Sequence, residues 1–351
     1  MTKFTIYKNN FKMMMNFKLN WLFLLMLIIS TMITLNSSSW LIAWMGLEIN
    51  LMSFIPLMLN NSNNYKNSKS SMSYFIIQSV ASSIMLIIMM MTNMENNLQN
   101  INLLQNLIQL SLILKLGMSP FHWWVPKIII NLNWMNCFIL LTWQKIAPMF
   151  LMLSMNNNTM IYISMILSGY IGAIMGMNQN SIKLILSYSS INHLSWMIMA
   201  MNLNISLMKL YFLIYSFINM IICLIMNNFN MNYINQLFKN KNNKIYFKIL
   251  MISSFLSMGG IPPFLGFLPK FFVLSLMIKN YLMFEIMFFI LMTLITLSYY
   301  MNPLISSLMT VNNNNKWMIK NFKKNNNFFL IILINSILML IIILSFFNLN
   351  N

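Results

Sequence analysis

The feature that most constrains this chain is a succession of apolar runs, each near twenty residues long, separated by short connectors rich in Asn and Lys. The runs fall at 19–35, 40–59, 72–92, 101–119, 134–154, 159–177, 181–202, 207–226, 248–278, 281–301 and 328–347. About 20 helical residues cross the roughly 30 Å hydrocarbon core of a bilayer. In lipid every backbone N–H and C=O must be satisfied within the protein, which leaves only helices or closed barrels. The expected fold class is an all-α polytopic membrane protein with about eleven transmembrane helices. The connectors at 60–71, 93–100, 227–247 and 302–327 have no room for a soluble domain. Composition argues the same way: 59% of the 351 residues are apolar and 7% charged, whereas an ordinary soluble domain is about 25% charged.

The ninth run is too long for one straight helix and holds Gly259, Gly260, Pro262, Pro263, Gly266 and Pro269. It reads as a helix broken in mid-membrane, a form tolerated only where protein or water satisfies the freed backbone groups. The expected organisation is a basic N-terminal segment (1–18), a first group of five spans (19–154), a second group of five (159–301), and a basic connector with a last helix (302–351).

Charge is one-sided in this chain. Every cation is Lys, 21 in all, against Glu48, Glu95 and Glu285, for a net +18. Nucleic acid is not an expected partner, because Arg, whose planar fork grips phosphate and guanine, is absent and the lysines are dispersed between apolar runs. Met, Ile, Asn, Lys and Phe dominate while Ala is scarce, and the 41 Met fit an AT-rich mitochondrial genome in which ATA is read as Met. With eleven spans, sixteen lysines fall on the side of the N-terminus, Lys209 and Lys279 fall on the other, and Lys115, Lys145 and Lys270 fall inside spans. By the positive-inside rule the N-terminus is expected in the matrix and the C-terminus in the intermembrane space of the mitochondrial inner membrane. The first eighteen residues have the outline of a targeting peptide. No small-residue cleavage site follows them, so they are expected to stay.

An ionisable group at the bilayer centre costs about 2.5–3.5 kcal/mol. Four such groups need a reason: Glu48 in MGLEIN, Lys115 in LILKLGMSPF, Lys145 in TWQKIAP and Lys270 in FLPKFF. Each Lys lies within five residues of a proline, namely Pro120, Pro148 and Pro269. These prolines, with Pro263, are expected to mark helix breaks where carbonyls and water can reach the charge. Buried lysine suits proton handling because burial and a nearby carboxylate pull its protonation in opposite directions. Glu48 is the one acid well inside a span, and Lys115 is its expected partner. The plainer alternative is that these groups snorkel or form structural ion pairs. Glu285 and Glu95 read as solvated.

Weaker candidates surround these four. Ser189 stands four residues before His193 on one helical face, which suits a proton relay, with Lys183 and His122 as further members. A polar packing strip with Lys183 snorkelling accounts for that face equally well. Cys137 and Cys223 are 86 residues apart in apolar runs and the two histidines 71 apart, so no disulfide framework, metal, haem or iron–sulfur site is expected in this chain.

The sequence also echoes itself. Gly117-Met-Ser-Pro-Phe-His-Trp-Trp-Val-Pro-Lys127 matches Gly260-Ile-Pro-Pro-Phe-Leu-Gly-Phe-Leu-Pro-Lys270 at Gly, Pro, Phe, Pro and Lys. The echo falls on the fourth and ninth spans, which hold equivalent places in two groups of five. Inverted repeats with interrupted helices are the signature of secondary transporters.

At MGLEIN, LKLGMSPFHWWVP, TWQKIAP, NQNSIKLILSYSSINHLSWM and GGIPPFLGFLPK, from about Trp40 to Phe272, the chain resembles the antiporter-like membrane-arm subunits, of the subunit 2 type, of mitochondrial NADH:ubiquinone oxidoreductase (respiratory complex I). The resemblance implies an antiporter-like fold with eleven helices and proton translocation across the inner membrane. It implies that Glu48 and Lys115 form the ion pair on the side where protons enter, that Lys145 is the central connecting lysine, and that Lys270 is the lysine of the second broken helix. In the family PFHWWVP is usually followed by Glu; Lys127 stands there in this chain. The implied partners are other complex I membrane-arm subunits, including further antiporter-like ones, and inner-membrane lipids such as cardiolipin. NADH, FMN, iron–sulfur clusters and ubiquinone are implied in partner subunits. The competing readings are a stand-alone cation/proton antiporter and a purely structural scaffold.

Overall fold

The computed structural model of the chain describes residues 2–59, 65–94, 98–155, 159–234, 236 and 245–309. Among them the repeating structure is helical: α1 (Thr2–Leu35), α2 (Trp40–Leu59), α3 (Tyr65–Met94), α4 (Leu98–Leu116), a 3-10 turn (Phe121–Trp123), α5 (Trp124–Ile129), α6 (Trp134–Leu141), α7 (Trp143–Leu153), α8 (Thr159–Met177), α9 (Ile182–Leu203), α10 (Ile205–Phe229), α11 (Ile245–Gly259), α12 (Phe267–Lys279) and α13 (Met283–Met309). The first ten expected spans coincide with these elements. The eleventh, at 328–347, lies outside the described residues, as does Glu95.

Two kinds of helix are present. In α2 the positions Ala43, Leu47, Asn50, Phe54 and Leu57 are buried at helical spacing, while Leu41, Ile42, Met45 and Met52 on the other side are exposed. Both faces are apolar because one meets protein and the other is suited to lipid. Trp40–Leu59 is one of six described helices long and apolar enough to cross a membrane. α9 is more polar, and every residue from Ser189 to Met201 is buried. Its Ser, Asn and His side chains are tolerated because protein surrounds them.

The chain folds as two compact units, Met1–Ser164 and Met165–Asn351. In the first, α1 packs on α2, α2 on α3 and α3 on α4, with α7 against α1 and α4 and α5 against α3. In the second, α9 packs on α10 and α12, α10 on α11 and α12, and α13 on α11 and α12.

Each unit contains one helix broken in the same local way. α4 ends at Leu116 and α11 at Gly259, and each is followed by a glycine in the left-handed region, Gly117 at φ +69° and Gly260 at φ +79°. The next N–H turns back to a carbonyl five residues earlier, Met118 to Ile113 at 3.2 Å and Ile261 to Leu256 at 3.3 Å. This closure satisfies carbonyls that a helix end leaves orphaned. The second half-helix then starts at Trp124 in one unit and Phe267 in the other, seven residues after the glycine. Residues 120–133, which the sequence leaves between two spans, therefore hold a half-helix whose Trp124, Val125, Pro126, Ile128 and Ile129 are buried.

Pro148 does not sit at the break expected of it. It lies inside α7, and the interruption between α6 and α7 falls at Thr142, whose hydroxyl and N–H both donate to the Phe138 carbonyl at 2.7 and 3.0 Å. A proline ring crowds the carbonyl four residues earlier, here that of Gln144, so its disturbance falls in the first turn of α7, next to the interruption, and not at position 148.

Candidate functional site

In the first unit two ammonium groups face one small cavity. Lys115 comes from the last turn of α4 and Lys145 from the first turn of α7, and only 6% and 3% of their surfaces are exposed. Both line a cavity whose polar wall is Asn50, Tyr74, Gln78 and Gln144. Lys115 occupies the carbonyl end of α4, where the helix dipole favours a cation. Glu48, on α2, is close enough for its carboxylate to act on the Lys115 ammonium through space. Gln78 donates to the Lys115 carbonyl at 3.2 Å and the Trp124 indole to the Leu114 carbonyl at 3.1 Å, so the broken end of α4 is tied to α3 and α5.

In the second unit the buried cation comes from the opposite half of the break. Lys270, in the first turn of α12, reaches back to the end of α11 and donates to the carbonyls of Gly259 at 2.9 Å and Met258 at 3.3 Å. Its side chain lies directly over Gly260, where an added Cβ would stand 2.9 Å from both its Cδ and Nζ. The two breaks thus share one electrostatic plan: an ammonium at the carbonyl end of the first half-helix, supplied by α4 itself in one unit and by α12 in the other. Lys127, the sequence echo of Lys270, is exposed and lies 5.1 Å from the Trp123 ring.

α9 carries a separate buried polar cluster. His193 Nδ1 lies 2.9 Å from the Tyr211 hydroxyl, and the Tyr215 ring is 5.2 Å from the imidazole. The Tyr300 hydroxyl neighbours Ser189 and Tyr299. Ser189 and His193 share a face, as the spacing predicts, yet they meet tyrosines of different helices, α13 and α10. Lys183 is half-buried at the start of α9, and His122 is half-buried in the 3-10 turn beside the Pro120 carbonyl. Neither lines the Lys115–Lys145 cavity. Asn50, Tyr74, Gln144 and the four tyrosines are site residues that sequence reasoning missed. The one available signal was a polar side chain in mid-span, and Gln144 shows it as the neighbour of Lys145.

Among the described residues no group of three or more His, Cys, Asp or Glu is placed to hold a metal.

Comparison with known proteins gives a consistent result. Residues 37–296 match the family model described as NADH:quinone oxidoreductase/Mrp antiporter, TM. The chain is 45% identical over 286 residues to an Anopheles gambiae protein named NADH-ubiquinone oxidoreductase chain 2, covering 81% of this chain and 84% of the relative. Its fold is similar to a chain of respiratory complex I from Thermus thermophilus, with a TM-score of 0.78 at 16% identity over 92% of this chain and 77% of that one. It is also similar to a chain of the Mrp complex from Dietzia sp. DQ12-45-1b, with a TM-score of 0.70 at 13% identity over 82% of this chain and 59% of that one.

Proposed function

Because the chain belongs to the NADH:quinone oxidoreductase/Mrp antiporter membrane family, we propose that it is a core membrane subunit of NADH:ubiquinone oxidoreductase that moves protons across the mitochondrial inner membrane through Glu48, Lys115, Lys145 and Lys270. The carrying observation is that three lysines are buried at helix interruptions, two of them on one cavity. Half-helix ends near the middle of a bilayer are where transporters bind ions and protons. A movement of Glu48 relative to Lys115 changes how strongly that ammonium is held, and Lys145 is the next group in reach of the same cavity. In the second unit Lys270 holds its proton against two carbonyls.

The division of labour follows from the family: as a membrane subunit of such a complex, the chain leaves NADH oxidation, FMN, iron–sulfur clusters and ubiquinone reduction to partner subunits. Other partners are further antiporter-like subunits and, at the basic connectors, anionic lipids such as cardiolipin. The lysine asymmetry supports an N-terminus in the matrix and a C-terminus in the intermembrane space.

The test is to reconstitute the complex carrying Lys115→Met or Lys270→Met in vesicles and measure assembly and the proton-to-electron ratio together. The expected result is assembly with a lowered ratio. Normal pumping by both variants would make these lysines structural. Likeness to the Mrp chain supports a second reading, a stand-alone cation/proton antiporter. Mild-detergent extraction separates the two, since an antiporter subunit of complex I migrates with a very large assembly.

A further inference from the structure

The cavity between Lys115 and Lys145 has an opening for water centres of about 20 Å³. Roughly 10–15 Å³ of such space seats one water, provided it finds two to four polar partners. The cavity therefore has room for a bridging water. Three side chains of its polar wall, from three helices, are joined by hydrogen bonds. Tyr74 of α3 donates its hydroxyl to Gln144 Oε1 at 3.2 Å, and Gln144 of α7 donates from Nε2 to Asn50 Oδ1 of α2 at 3.1 Å. Both ends of the Gln144 amide are thus anchored.

From this geometry we infer that Asn50, Gln144 and Tyr74 form a clamp that positions bridging water between Lys115 and Lys145, with Gln144 as its central positioning residue. The inference rests on the reading that these lysines carry protons. An amide suits the task because it accepts and donates hydrogen bonds without itself binding the proton. A carboxylate at position 144 would hold an ammonium in place by charge-assisted bonding. An apolar side chain there would leave the water with too few partners, and it would leave. Packing alone does not account for the Tyr74 hydroxyl. The Tyr74 ring is held by Phe54 at 5.3 Å and Trp124 at 6.0 Å between centroids, contacts that phenylalanine would keep.

The experiment uses the assembled complex carrying Gln144→Leu or Tyr74→Phe, with Lys115→Met and Lys145→Met measured in parallel. Readouts are assembled amount, NADH:ubiquinone turnover, the proton-to-electron ratio, the H2O/D2O solvent isotope effect, and density between the two lysines in a high-resolution map. Gln144→Leu should assemble, turn over roughly tenfold more slowly, the scale of one lost hydrogen bond on the path, show a larger isotope effect, and lose a water density present in the unmodified complex. Tyr74→Phe should show a smaller change in the same direction. Unchanged turnover and isotope effect in both clamp variants would overturn the inference, as would water density retained in Gln144→Leu. If Gln144→Leu does not assemble, Tyr74→Phe decides. Normal pumping by the lysine variants would sink the functional reading itself, whereas defective lysine variants beside normal clamp variants would sink the clamp alone.

Discussion

Lys270 shows how one residue carries a charge inside a hydrophobic span. Placing it there costs about 2.5–3.5 kcal/mol, and each of its hydrogen bonds to Gly259 and Met258, being charge-assisted, returns about 1.5–3 kcal/mol. Two such bonds offset the insertion cost. Removing the charge as Met should leave folding intact or improved, since the insertion cost goes with it. Glu48→Gln removes the carboxylate that acts on Lys115, so it should lower the proton-to-electron ratio while the assembled amount, read on native gels, stays constant. Glu95→Gln should be nearly silent by the same assay. His193 offers a different discrimination. Tyr211→Phe deletes the hydroxyl 2.9 Å from its Nδ1. Slower turnover with normal assembly would assign that face of α9 to proton relay, and a loss of assembly at a normal ratio would assign it to packing.

At the scale of elements, the broken helices depend on two different properties of glycine. Gly260 supplies the left-handed turn that ends α11, and Gly266 permits contact between the halves. A Cβ on Gly266 would run into the Ser257 carbonyl oxygen, a position no backbone atom can vacate without moving α11. Gly266→Ala should therefore destabilise by about 3 kcal/mol or more and abolish the assembled complex. Gly259→Ala is the matched control. Its Cβ would meet only the Tyr300 ring at 3.7 Å, an ordinary contact, and Ala is preferred over Gly in a helix by about 0.5–1 kcal/mol. Accumulation of assembled complex should separate the two substitutions cleanly. If Gly266→Ala assembles normally, the close approach of Gly266 to Ser257 is not what holds Lys270 in place.

At the scale of the molecule, eleven spans and a sixteen-to-two division of the connector lysines predict which parts of the chain share a face of the membrane. Positions near Asn242 and Asn314 should be labelled from the matrix, and Asn351 from the intermembrane space. Thiol labelling of single cysteines in mitoplasts checks this, and finding 242 and 351 on one face would break the eleven-span arrangement. Moving one charge against 100 mV takes about 2.3 kcal/mol, so pumping requires sites whose hold on the proton is switched by events elsewhere in the complex. Under the proposed function, the lysines at the interruptions of α4, α7 and α12 are those sites.

Much of this was legible in the residues alone, for a physical reason. Lipid forces each crossing segment to be helical and about 20 residues long, so apolar runs alone marked the positions of α2, α8 and α10. The cost of burying charge singled out Lys115, Lys145 and Lys270, which are buried, and Glu48, which is half-buried, and the repeated Gly, Pro and Phe pattern marked the two breaks. Other features had no local signature. Pro148 pointed to α7 but not to Thr142, because a proline acts on the turn before it. The half-helix α5 reads as part of a connector until α3 covers it. Lys127 and Lys270 match in sequence, yet one is exposed and the other buried, because burial is decided by which helices pack around a position. The clamp of Asn50, Tyr74 and Gln144 joins three helices across 94 residues of chain. Only tertiary packing brings such side chains within 3.2 Å, since hydrogen bonding in a cavity depends on spatial neighbours that sequence spacing does not encode.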